Sequence, residues 1–121
     1  MDQRLVEHLT AIRRQIHQNP ELGFRGTQTS ALVAAELERL AVPCQSGIAC
    51  TGVVGLIDKG PAPSIALRPD MDAPPIMEEN GLAFGSKNKS VMHAYGNDIH
   101  TTMLLDAASL LSRRNLRAVL N

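Results

Sequence analysis

The stretch MHAYGNDIH at 92–100 gathers two histidines, an aspartate, a tyrosine and an asparagine into one short run. His93, Asp98 and His100 are residue types that bind divalent cations or carry protons. Tyr95 and Asn97 lie between them and are poor ligands. A phenol must lose a proton with a pKa of about 10 to compete, and a primary amide offers only a neutral oxygen. A second cluster, RPDMDAPP at 68–75, holds Asp70 and Asp72 just past a predicted strand, where ligand sites of open α/β sheets gather. In an extended chain, alternation turns both carboxylates to one side, where they can hold a cation or orient a metal-bound histidine. Asp70, Asp72, His93, Asp98 and His100 together form a set chemically able to hold an oxygen-loving cation. Structural roles account for the same residues. Asp and Pro form turns, Asp98 is suited to cap a helix, and His100 fits on its first turn. Types and spacing leave both readings open.

The elements that must position these clusters are legible from periodicity. Leu5, Leu9, Ile12 and Ile16 make one helical stripe, which predicts a helix over 3–18 with Asp2 as its N-cap. Asn19-Pro20 ends it, because the residue before proline is pushed out of the helical region. After the loop ELGFRG, a second helix is expected over about 28–41, capped by Thr27 and buried along Val33, Leu37 and Leu40. GVVGLID (52–58) and SIALR (64–68) read as strands joined by the turn KGPAP, an antiparallel pair. Residues 73–91 form a long irregular stretch of the kind that carries function or is mobile. A third helix is expected over about 98–114, buried along Met103, Ala107 and Leu110, with Leu104 and Leu111 alongside. The final LRAVLN reads as the approach to a further strand. The order points to an incomplete α/β layer.

Bulk properties narrow the function classes. The chain has 121 residues, the size of one ordinary domain, and 44% apolar residues, enough for a core. Aromatics are only 2%, so aliphatic side chains must fill that core. Twelve basic residues balance twelve acidic ones, which argues against a nucleic acid or membrane surface held by charge. No apolar run is long enough to span a bilayer, and MDQRLVEHLT has no apolar signal segment, so a cytoplasmic location is the expectation. There, Cys44 and Cys50 are expected as ordinary reduced residues. Neither a Gly-rich phosphate loop, a Gly-x-Ser-x-Gly elbow nor a Cys-x-x-Cys pair is present.

Three collinear segments carry a resemblance: LTAIRRQIHQNPELGF (9–24), IALRPDMDAPPIMEEN (65–80) and VMHAYGNDIHTTMLLDAASLL (91–111). They resemble the N-terminal part of the metal-dependent amidohydrolases that include hippurate hydrolases, N-acyl-amino-acid amidohydrolases and auxin-conjugate hydrolases. These belong to the aminoacylase and carboxypeptidase metallopeptidase superfamily. The resemblance implies an α/β/α sandwich with a later-inserted lid and dimerisation domain, and residues 1–121 as the N-terminal portion of a single catalytic domain. The later strands and the lid are then missing. It implies hydrolysis of an N-acyl amino acid to a carboxylic acid and an amino acid by a divalent metal pair such as zinc or manganese. The cations acidify a bridging water, and a glutamate moves its proton to the leaving nitrogen.

The resemblance is uneven at the site. The family's third motif usually reads His-Ala-Cys-Gly-His-Asp, with its Cys and second His as metal ligands; Tyr95 and Asn97 stand there. Asp72 matches the acid that supports the catalytic centre. Asp70, His93, Asp98 and His100 match residues around the site rather than its main ligands. Pro69 and Pro74 replace an Ala and a Leu of the strand-end motif, and Pro69 removes a backbone donor and restricts Arg68. The family's Glu-Glu pair, which supplies the general base and a further ligand, falls beyond residue 121. The expectation is therefore a truncated or degenerate family member, inactive alone, with no metal bound and a marginal fold. The alternative is a non-catalytic module that pairs through an open sheet edge with itself or with a full-length relative.

Overall fold

A computed structural model describes residues 2–61 and 63–114, and the final LRAVLN, expected to approach a further strand, lies outside them. Three helices and two strands follow in the order α1 (Gln3–Gln18), α2 (Thr27–Arg39), β1 (Cys44–Ile48), β2 (Gly52–Gly55) and α3 (Asn97–Arg113). The arrangement is mixed α/β, as expected. The only sheet among the described residues is two-stranded.

Helix α1 forms where the stripe predicts it. Asp2 caps it, its carboxylate accepting the Arg4 backbone N–H at 3.0 Å. Ile12 and Ile16 are buried, and Leu5 and Leu9 half-buried. Helix α2 starts at Thr27 with Gly26 in the cap position, so Thr27 is not its cap. The orphaned N–H groups are satisfied from outside the helix. Glu21 accepts the backbone N–H of Gln28 at 3.0 Å and of Thr29 at 2.8 Å. Val33 and Leu37 face inward and Leu40 packs at the edge. The core is Ile12, Ile16, Val33, Leu37, Val42 and Leu105, flanked by Leu32, Leu40, Val53, Ile57, Met71 and Ala108. Each fully buried aliphatic side chain in it contributes about 1.5–3 kcal/mol.

The strand pair predicted from 52–58 and 64–68 does not form. Strand β2 is limited to Gly52–Gly55 and pairs antiparallel with β1, a strand that the sequence does not predict. The register runs from Cys44 opposite Gly55 to Ile48 opposite Gly52, with an irregularity at Gly47, whose φ of 79° suits glycine. A tight turn brings β1 to β2 first, and the run 63–70 has no ladder partner among the described residues. Ile65 is 88% and Leu67 59% exposed.

The buried face of α3 also differs from expectation. Met103 and Leu110 are exposed; the inward face is Asp98, Thr101, Thr102, Leu105 and Ser109. Polar bonds set this rotation. Asp98 binds α1, and the Thr101 hydroxyl donates to the Asp70 carbonyl at 3.2 Å. Both Cys44 and Cys50 are free thiols.

Candidate functional site

The predicted residues divide into three groups in space. The first is Asp72 with the start of α3. Gly96, at φ 79°, turns the chain into α3 and places Asn97 as its first residue. The Asn97 amide donates to the Asp72 carbonyl at 2.9 Å and lies 3.5 Å from the Asp72 carboxylate. Tyr95 stands beside them, 70% exposed.

The second group is buried. Asp98 is fully buried, and it does not cap α3 as expected, since Gly96 holds the cap position. One carboxylate oxygen of Asp98 accepts from Arg13 Nε at 2.8 Å and faces His17 Nδ1 at 2.9 Å. On the far side of the ring, His17 Nε2 meets Glu78 Oε1 at 2.7 Å. Glu78 also accepts the Ser86 backbone N–H. A carboxylate can only accept, so the ring serves both partners when each nitrogen carries a proton. Burial opposes ionisation of Glu78, but the His17 bond and the Ser86 N–H outweigh it and hold its carboxyl below the usual glutamate range. His93 lies next to this network, its ring 6.4 Å from that of His17. It is buried, and neither ring nitrogen has a partner among the described residues. Burial pushes the His93 imidazole down from its ordinary value. Asp98 and Asp72 pull it up, and His17 and Arg13 add to the lowering.

The third group is dispersed on the surface. Asp70 pairs with Arg68 at 2.8 Å, both well exposed. His100 is exposed and lines an open groove of about 370 Å³ with Leu67, Arg68, Pro69, Met103, Leu104 and Ala107. The set Asp70, Asp72, His93, Asp98 and His100 therefore does not converge. Among the described residues, no group of three or more His, Cys, Asp or Glu side chains is placed to hold a metal ion.

The positions where the resemblance puts two metal ligands do not fit a metal either. Tyr95 presents a solvent-facing phenol, and Asn97 directs a donor, its amide N–H, at Asp72.

Sequence reading missed His17, Glu78 and Arg13. Arg13 and His17 stand at i, i+4 on α1, so one helical line presents two donors, and Glu78-Glu79 is an acidic pair in an otherwise sparsely charged loop. Nothing in the spacing says that they meet.

No family profile matches the chain. Individual proteins do. IAA-amino acid hydrolase ILR1-like 5 of Arabidopsis thaliana is 50% identical over 103 residues, 85% of this chain and 24% of that protein. The hippurate hydrolase of Campylobacter jejuni is 48% identical over 111 residues, 91% of this chain and 29% of that enzyme. Bacillus subtilis YXEP, described as a dinuclear metal binding peptidase, superposes with a TM-score of 0.89 at 34% identity. That superposition covers 95% of this chain and 33% of the Bacillus protein. Over most of its own length the chain is homologous to amidohydrolases and peptidases of the M20 family, and it spans between a quarter and a third of the proteins it matches. No described helix is long and apolar enough to cross a membrane.

Proposed function

We propose that residues 1–121 correspond to the N-terminal portion of an M20-type α/β/α catalytic domain and have no hydrolytic activity of their own. The scaffold descends from enzymes that cleave N-acyl amino acids, the substrate class named in the hippurate and IAA-amino acid hydrolases. The observation that carries this reading is the Asn97–Asp72 bond. Where the family resemblance calls for an imidazole ligand, a neutral amide spends its N–H on the neighbouring backbone. With Tyr95 in place of a thiolate, two strong ligands are absent from one turn of chain. The test is hydrolysis of benzoyl-glycine and acetyl-amino acids by the purified chain supplied with zinc or manganese. The expected result is no release of amino acid above a protein-free blank. Turnover that a chelator abolishes would sink the reading.

One observation favours a second reading, an interaction module. The segment 63–70 joins no strand among the described residues, and it exposes Ile65 and Leu67. Such an edge can add a strand from another copy or from a full-length relative. A monomer by light scattering, with no capture of a full-length relative, counts against it.

A further inference from the structure

The loop 73–91 leaves the protein body beside Asp72 and returns beside His93. Its path therefore sets the spacing of the two ends of the candidate site. It holds no helix or strand, yet it is fastened to α1 and to the loop that follows α1. The Ala73 N–H donates to the Glu21 carbonyl at 2.8 Å and the Lys87 N–H to the Gln18 carbonyl at 2.9 Å. The Phe84 ring lies edge-on to His17 at 5.6 Å and meets the guanidinium groups of Arg13 and Arg14 at 5.0 and 4.7 Å. Glu78 reaches His17 at 2.7 Å, with side chains only 7% and 4% exposed. That bond is the buried, charge-bearing attachment.

We propose that Glu78 and His17 form an acid-released latch that straps the 73–91 loop to α1. In this device His17 is a positioning residue, coupling the strap through Asp98 to the start of α3. The bond is strong while Glu78 is ionised, because a charge-assisted hydrogen bond is roughly twice as strong as a neutral one. Protonation leaves a neutral carboxyl facing the ring and the Ser86 N–H. The groups facing His17 are Glu78 from the loop, Asp98 from α3, Arg13 from its own helix and His93 from the segment before α3.

Because Glu78 titrates below its ordinary range in the folded chain, its side of the latch stays ionised throughout that range. The latch is lost as pH falls through the lowered value. The strap can part without dismantling the body, since the apolar core cluster draws no residue from 73–91. Its buried apolar side chains, Ala73 and Val91, stand at its two ends, and the stretch between them, with little buried apolar contact, opens as its own unit.

The test is hydrogen exchange of the 121-residue chain, read by mass spectrometry over 74–91 and corrected for intrinsic rates. Far-UV circular dichroism is followed in parallel, and Glu78→Gln and Glu79→Gln are compared with the native chain. In the native chain, protection of 74–91 drops about tenfold or more as pH is lowered from about 6 until Glu78 is protonated, while the helical signal holds. Glu78→Gln shows the unprotected rate already at neutral pH, and Glu79→Gln follows the native chain. Three results overturn the proposal. One is protection that is lost only together with the helices. Another is Glu78→Gln retaining native protection. The third is a pH step of equal size persisting in Glu78→Gln, which assigns it to His93.

Discussion

The two sides of α3 contrast sharply. One side carries Asp98, Thr101 and Thr102 into the protein, where Arg13 and His17 meet the Asp98 carboxylate. The other shows Met103, Leu104 and Ala107 to an open groove shared with Leu67. A hydrophobicity argument assigns these sides the opposite way. The difference shows that specific long-range polar bonds, once complete, orient a weakly amphipathic helix against its apolar preference. An unpaired buried charge costs several kcal/mol, more than leaving one methionine or leucine in water.

The largest effect that tests this contrast is expected from Asp98→Ala. It leaves Arg13 and His17 without their shared acceptor and should cost about 3–5 kcal/mol in urea unfolding. A loss under about 1 kcal/mol would mean that the polar side does not orient α3. Ile16→Ala, in the core beneath the same helix pair, should cost about 2–5 kcal/mol. The matched change on the open side, Met103→Ala, should shift stability by no more than about 0.5 kcal/mol. A large loss there would reveal a partner for the groove in the free chain.

The network also has a signature in pH. His93 is held neutral below its ordinary value, so the unfolded chain takes up more protons as the histidine range is crossed. Its contribution is full above a pH of about 6.5 and is lost as pH falls toward the lowered value. Unfolding free energy should therefore decline on mild acidification, and His93→Leu should flatten that part of the curve. The smallest effect is expected at the surface end of the site. After zinc loading and desalting, elemental analysis should find more metal on Tyr95→Cys/Asn97→His than on the native chain. Equal retention would show that Tyr95 and Asn97 are not what limits binding.

Local features of this chain were readable from its sequence, and distant ones were not. Leu5, Leu9, Ile12 and Ile16 announce α1, and Asp2 announces its cap, because both signals lie within a few residues. Strand β1 was invisible: CQSGI has no alternating apolar face, and all five residues are exposed. SIALR looks like a strand by composition, but a strand needs a ladder partner, and composition does not supply one. At the site, Asp98 and His93 stood out by type, but spacing suggested a cap and a cation where the structure has a buried network. The partners that decide this, His17 with Asp98 and His17 with Glu78, are separated by 81 and 61 residues. The family homology was readable because it rests on ordered motifs rather than on contacts.

Glu21 grips the start of α2 across only seven and eight residues of chain. His17, four positions earlier, waits for an acid 81 residues away. Closing the longer loop costs about 2 kcal/mol more in chain entropy, by logarithmic scaling with length. The same disparity has an order in time. As the chain leaves a ribosome, α2 can be anchored almost as soon as it emerges. Helix α1 must carry Ile16 and an unpartnered His17 until Asp98 has been made, and for that interval it is the segment most in need of protection from other chains.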